Sequence, residues 1–443
     1  MKAKKTLTNI LKYYSILDCG KYSMTGKKMK REENDLLIRN IGQLLTIPAN
    51  GKPVVNPTTS SLGIIKNAYI TVKNGKIKNV GTNPAHLSAK KVINAKKKTV
   101  LPGFIDSHTH LIFAGTREHE FSMRLAGKDY LAIMKDGGGI KSTVSKTRKT
   151  SKEQLFIGAK KYLDEALQWG TTTCEVKSGY GLSTSEEIKI LEVAQMLQKE
   201  HPVDIIPTFL GAHDVPVEYN GKKKDYVELV KDEMIPEVRK RKLARFCDVF
   251  CEKGVFSKKE SESILLSGLK NGMSTKIHAE EFTNIGGSEL ALKVKATSCD
   301  HLLYTLDAGL KSIKKAGTIA VLLPGTNLYL KKRKIPPVKK MRKYKIPIAI
   351  ATDFNPGSCP VVSMPVMLSL ACMLYGLTTE ESIVGSTINA AFAVKEENSR
   401  GSIEKGKLAD IIVTDLEDYR AIPYWFAQNH ISYVIKRGKI VVS

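Results

Sequence analysis

The spacing of apolar residues changes character twice along this chain. From Asp35 to Lys98 they come in short alternating runs: LLIRNIGQLL, YITVKNGKIKNVG and KVINAKKKTVL. Alternation with β-branched residues predicts strands, and Asn74-Gly75 predicts a tight hairpin turn. From Val100 to about Lys395, apolar runs alternate instead with stretches of helical period. Ser151 to Trp169 is the plainest helix. Ser151 and Gln154 form a capping box there, Leu155, Ala159, Tyr162, Leu163 and Ala166 line one face, and Gly170 ends it. Eight strands are expected: VLPGFIDSHTH, TTTCEVKSGY, VDIIPTFLGAH, FCDVFCE, MSTKIHAEEF, SCDHLLY, TIAVLLPGT and PIAIATDFN. After about Ser402, β texture returns in SIEKGKLADIIVTDL and ISYVIKRGKIVVS.

Strands alternating with helices predict an α/β fold, a (β/α)8 TIM-type barrel. The flanking β segments predict a discontinuous β-sandwich domain built from the N- and C-terminal parts of the chain. The expected division is a basic, disordered extension over 1–33, a first β-sandwich part over 34–99, the barrel over 100–401, and the second β-sandwich part over 402–443.

In such a barrel, chemistry sits at the C-terminal ends of the strands. Those ends carry Asp106, His108, His110, Tyr180, His213, Glu252, His278, Glu281, His301, Asp353 and Asn355. Residues two apart in an extended strand share a face, so His108 and His110 point to one place. With His278 and Asp353 they make three imidazoles and a carboxylate, a donor set suited to zinc or another divalent first-row metal. Asp353 is typed to hold a water and take its proton, and Glu281 to carry a proton to a leaving nitrogen. His213 or His301 can polarise a carbonyl oxygen. Arg117 can clamp a carboxylate with two parallel hydrogen bonds.

Composition narrows the class. Hydrophobic content of 42% and charged content of 26% are globular values. No apolar run approaches the roughly 20 residues of a membrane span. The net charge is +26, of which residues 1–31 supply +8, nine basic residues against Asp18. The densest other run, KKRKIPPVKKMRKYK from Lys331, holds one aromatic residue, Tyr344, and no nucleic-acid-binding motif accompanies it. A solvated basic surface is expected rather than a nucleic-acid interface. The seven cysteines include no C-x-x-C, which points to a reducing, cytoplasmic setting without disulfides. Gly137 to Ile140 lacks the lysine of a phosphate loop and is expected to be a mobile loop near the barrel mouth.

PGFIDSHTH, HAEE, ATDFNPGS and GSIEKGKLADIIV resemble the amidohydrolase superfamily of metal-dependent barrels. DLLIRNIGQLLT, HLIFAGTREHEFSMRLAGKDY, GGGIKSTVSKTR, EVKSGYGL, FLGAHDVP and ATDFNPGSCP resemble, within it, the imidazolonepropionase family, from about Asp35 to the C-terminus. The resemblance implies hydrolysis of the cyclic amide 4-imidazolone-5-propanoate to N-formimidoyl-L-glutamate, with one Zn2+ or Fe per subunit and a homodimeric assembly. It implies that His108, His110, His278 and Asp353 are metal ligands. It also implies that Arg117, Tyr180, His213, Glu281, Asn355, Gly357 and Ser358 contact substrate or product. Arg117 and Tyr180 would hold the propanoate arm, with Asn355, Gly357 and Ser358 near the ring. Lys177 lies at a strand end where binuclear relatives carry a carboxylated lysine, but no second ligand set accompanies it. A purine or pyrimidine aminohydrolase on the same barrel remains the alternative, because His278-x-x-Glu281 also resembles the ligand and proton-shuttle pair of those deaminases. A basic nucleic-acid-binding protein on an inactive barrel is the more remote one.

Overall fold

The computed structural model describes residues 33–85, 87–128, 133 and 138–443. The basic extension, apart from Glu33, and the start of the Gly137–Ile140 loop lie outside the described residues.

All eight expected barrel strands are present. They are β6 (Phe104–Asp106), β7 (Thr171–Lys177), β8 (Asp204–Ala212) and β9 (Phe246–Cys251), then β10 (Ser274–Ala279), β11 (Ala296–His301), β12 (Ile319–Leu322) and β13 (Ile348–Ile350). They pair in parallel and in sequence order. β6 and β13 form no ladder with each other; instead the loops beyond them close the ring. Asp353 N donates to His108 O at 2.9 Å, and His110 N donates to Phe354 O at 2.9 Å. The Asp106 carboxylate accepts from Thr352 N at 3.0 Å and from Thr352 Oγ1 at 2.5 Å. Asp106, expected among the strand-end chemistry, therefore belongs to this seam.

One expectation is corrected here. VLPGFIDSHTH is not one strand. Thr99–Pro102 forms β5 of the other sheet, and the barrel begins only at Phe104. Pro102 has no N–H to continue a ladder. At Gly103 a Cβ would lie 2.3 Å from Thr172 Oγ1, so only glycine passes at the crossing. His108 and His110 consequently sit beyond β6 rather than within a strand. The Thr109–Phe354 bridge keeps that segment extended.

The β domain comprises β1 (Asn34–Leu45), β2 (Ile64–Lys73), β3 (Lys76–Gly81), β4 (Ala89–Asn94) and β5, with β14 (Ile411–Thr414), β15 (Ile431–Lys436) and β16 (Lys439–Val442). Its hydrogen bonds trace one mixed sheet, ordered β16-β15-β14-β5-β1-β2-β3, with β4 on β1. β14 pairs antiparallel with β5, which joins the chain's two outer segments. The Asn74-Gly75 turn forms as expected, with φ of +50° and +73°. Leu36, Ile38, Ile41 and Ile70 share one core with Ile411, Val413 and Ile435 from the tail.

Four helices follow β6 and β7 closely: α1 (Glu118–Leu125), α2 (Ile140–Lys149), α3 (Lys152–Gln168) and α4 (Thr184–Glu200). α3 carries the expected Ser151–Gln154 capping box and buries Leu155, Ala159, Leu163 and Ala166. At the N-terminal end of the barrel, opposite the strand ends that bear the chemistry, Asp204 lies among three cations. Lys436 Nζ is 2.6 Å from it, Arg437 Nη2 is 2.5 Å away, and Arg400 closes the group. Asp410 meets Lys436 at 2.5 Å. Among the described residues no helix is long and apolar enough to cross a membrane.

Candidate active site

The polar residues that end the barrel strands converge on one cavity. Its wall holds Arg117, Tyr180, His213, Glu281, Asn355 and Ser358, with His110, His278, His301 and Asp353 at its floor, and Phe250 and Phe282 supply apolar surface. His108 lies beneath and is fully buried. Gly357 backs the wall instead of facing the space: a Cβ there would lie 2.0 Å from the Arg117 Cζ. Glu252, another strand-end residue, faces away and accepts from Phe282 N at 2.9 Å and from Thr283 N at 3.3 Å. Glu280, His301, Leu302 and Asp353 have φ of +53°, +73°, +63° and +54°. Non-glycine residues hold that conformation only where their surroundings enforce it, and such strain gathers at functional sites.

Two groups of donors overlap at the floor. His108, His110 and Asp353 bring ligand atoms within 4.8 Å of one another, and so do His108, His278 and His301. Asp353 Oδ1 is 3.5 Å from both His108 Nε2 and His110 Nε2, while Oδ2 accepts from Thr326 Oγ1 at 2.6 Å. His110 Nε2 and His278 Nε2 are 3.4 Å apart. His108 Nε2 is buried and makes no hydrogen bond. A buried imidazole nitrogen is rarely left so, and a metal ion satisfies it. The residues present therefore fit a divalent metal, as the chemistry of the donor set requires.

Carboxylates behind the imidazoles fix how they face. Asp300 Oδ2 is 2.6 Å from His108 Nδ1, and Asp248 Oδ2 is 3.0 Å from His278 Nδ1. The Asp300 carboxyl group accepts from His108 Nδ1 and so leaves the His108 Nε2 lone pair to face the cavity floor, while Asp248 lies against the Nδ1 side of His278. Lys177 Nζ lies between them, 2.8 Å from Asp248 and 3.9 Å from Asp300, with Glu175 at 2.7 Å. Burial works against its charge, yet Asp248, Glu175 and Asp300 hold its pKa above the ordinary lysine value. Lys177 is thus an ammonium inside the barrel. Burial opposes ionisation of Asp248 too, but His278 and Lys177 hold it well below the usual carboxylate range.

Burial pushes the floor residues away from charge. His108, His110 and His301 lie well below the ordinary histidine value, each chiefly by burial. His213 is pushed down to about 3 by burial and by His278. Its Nδ1 is 2.9 Å from Gly179 O, an acceptor only, so Nδ1 carries the proton and Nε2 a lone pair. Burial, then Asp353 and Glu252, drive Glu281 well above its ordinary value. Asp353 is raised to about 6, again by burial.

Asp248, Asp300, Glu175 and Glu187 are not among the residues expected from the sequence. Asp248 and Asp300 each interrupt an apolar strand, FCDVFC and TSCDH, and a lone carboxylate in a buried strand is the signal that marks them. Glu187 has no such mark, because it sits in the acidic first turn of an ordinary helix.

Residues 264–441 match the amidohydrolase family profile. The chain is 46% identical over 416 residues to the imidazolonepropionase of Geobacillus kaustophilus, covering 92% of this chain and 98% of that one. It is 43% identical over 415 residues to the imidazolonepropionase of Alkaliphilus oremlandii, with 92% and 98% covered. Among solved structures, an adenosine deaminase from Xanthomonas campestris with bound zinc aligns with a TM-score of 0.69 at 17% identity, covering 93% of each chain. A 5-methylcytosine deaminase from Klebsiella pneumoniae aligns with a TM-score of 0.69 at 13% identity, covering 92% of this chain and 98% of that one. At those identities the likeness to the deaminases is one of fold alone.

Proposed function

The chain belongs to the imidazolonepropionase family, a hydrolase acting on carbon–nitrogen bonds in cyclic amides, and from that premise we propose how its residues divide the work. The substrate is 4-imidazolone-5-propanoate and the product N-formimidoyl-L-glutamate. The observation that carries the assignment of roles is the convergence of His108, His110, His278 and Asp353 beneath a cavity walled by Arg117, Tyr180, His213 and Glu281.

His108, His110, His278 and Asp353 hold one metal ion, zinc or iron. Bound there, such an ion supplies Lewis acidity and brings the pKa of a water down to about 7. Asp353, with one oxygen fixed by Thr326, would take the proton from the attacking water. Glu281, kept protonated by burial, delivers a proton to the ring nitrogen as the amide bond breaks. His213 presents a lone pair and so accepts from a ring N–H, which leaves the polarising of the carbonyl oxygen to His301. His301 Nε2 lies 3.6 Å from Glu281 Oε2, on the same side of the cavity. Arg117, seated against Gly357, takes the propanoate carboxylate together with Tyr180.

Asn355 has a different part from the one its position implies. Its Oδ1 accepts from Gly357 N and Ser358 N, both at 2.8 Å, and its Nδ2 donates to Asp353 O and Ser358 Oγ, both at 2.7 Å. Asn355 shapes the turn, and Ser358 Oγ is the group left to face the ring.

Turnover of freshly made imidazolone propanoate, with metal analysis of the same sample, tests this reading. Ring opening with about one metal per chain, abolished by a chelator and restored by zinc or iron, is the expected result. Ammonia release from a purine or pyrimidine without ring opening would replace it with a deaminase.

A further inference from the structure

Residues 178–182, SGYGL, leave the end of β7 and bring Tyr180 to the cavity wall and the Gly179 carbonyl to His213. Ser178 keeps the strand's pairing, its N–H donating to Thr208 O at 2.9 Å and its Oγ accepting from Leu210 N at 2.9 Å. Gly179 has φ of +105° and Leu182 of +52°, so the chain turns sharply twice and exposes successive N–H groups to the interior. Three of them meet the same carboxylate. Glu187, in the first turn of α4, accepts from Gly179 N at 2.9 Å, Gly181 N at 2.8 Å and Leu182 N at 2.8 Å. It is 1% exposed and does not line the cavity. Its neighbour Glu186 does something ordinary, pairing with Lys189 at 2.5 Å on the helix surface. Arg148 Nε holds the far side of the segment through Gly181 O at 2.6 Å.

We propose that Glu187 is a positioning residue for the reaction: its carboxylate gathers three backbone N–H groups of residues 179–182, and so sets Tyr180 and the tautomer of His213 without touching substrate. Three N–H donors converging on one buried carboxyl group fix a short segment in both position and orientation. A glutamine has the same shape but offers an NH2 where one of the N–H groups needs an acceptor. An aspartate is one methylene too short to reach all three. A displacement of about 1 Å in a group that orients substrate costs on the order of 100-fold in rate.

The inference rests on the proposed function, since Tyr180 and His213 matter only if they meet substrate. The test compares wild type, Glu187→Gln, a Tyr180→Phe/His213→Asn pair, and the triple variant. Single-turnover ring opening is measured at high enzyme concentration, with metal content determined on each. Glu187→Gln is expected to lower kcat/KM by about 100-fold at unchanged metal content. In the Tyr180→Phe/His213→Asn background it is expected to add less than about threefold, because groups acting as a unit are not additive. A purely structural glutamate would instead multiply its full loss onto that background, and this outcome, or wild-type kinetics in Glu187→Gln, overturns the proposal. If Glu187→Gln fails to fold, Glu187→Asp, one methylene too short to reach all three N–H groups, takes its place; the same non-additive loss is expected, and additivity overturns the proposal. Wild type that opens no ring sinks the proposed function instead, and the two failures are told apart by that single control.

Discussion

At the scale of single residues, the site works through atoms that have been deprived of alternatives. Arg117 is the clearest case, since Gly357 gives it a seat that any side chain would occupy. Gly357→Ala is therefore expected to raise KM about tenfold or more, the worth of a charge-assisted hydrogen bond, with metal content unchanged; steady-state kinetics beside metal analysis check it. His213 makes a pH prediction. Its folded pKa of about 3 lies below its ordinary value of 6.5, so between those values the unfolded chain binds a proton that the folded one refuses. The stability that neutral His213 contributes is thus present above pH 6.5 and is lost as the pH falls toward 3. In metal-free protein, the difference in Tm between wild type and His213→Asn is expected to shrink steadily from pH 7 to pH 4. A difference that grows on acidification would contradict the assigned tautomer and burial.

At the scale of elements, strand identity was legible and strand ownership was not. Apolar runs and helical periods announce all eight barrel strands, and the Ser151–Gln154 box announces α3. What local pattern cannot tell is that Val100 and Leu101 belong to one sheet while Phe104 and Ile105 belong to another. All four are apolar and β-prone, and the choice is made by β14, more than 300 residues away, pairing with β5. The cluster of donor side chains was legible because H-x-H and the polar strand ends recur at fixed places in the architecture. The carboxylates behind it were not, because contact between Asp300 and His108 spans 192 residues and leaves no spacing to read. Two elements make testable claims. Ser151→Ala removes the cap of α3 and is expected to cost about 1 kcal/mol, read by chemical denaturation, with kcat/KM untouched. Thr352→Val removes a hydroxyl that a buried Asp106 oxygen accepts. It should cost about 1–3 kcal/mol and, because Asp353 is the next residue, also weaken metal retention against a competing chelator.

At the scale of the whole molecule, the chain's last strands are joined to its first β segment by the β5–β14 ladder and fastened to the barrel by charge. Asp204 begins β8, Arg400 lies between barrel and tail, and Lys436, Arg437 and Asp410 belong to the tail. Burial alone would raise the Asp204 pKa, but Lys436 and Arg400 lower it below its usual value. Removing one member strands buried charge of the other sign, so Asp204→Asn is expected to cost about 3–5 kcal/mol at neutral pH. Because the carboxylate pKa is depressed, that deficit should be full above pH 3.8 and diminish as the pH falls below it; denaturation curves at several pH values check both size and sign. The closing seam has a consequence for how the protein is made. His108 and His110 follow the first barrel strand and Asp353 follows the last, so the donor cluster spans the join between the oldest and the youngest parts of the ring. A growing chain on the ribosome therefore displays two imidazoles early, yet cannot complete the cluster until some 245 residues later. Products of interrupted synthesis that stop short of Asp353 are left with an open ring and an incomplete donor cluster.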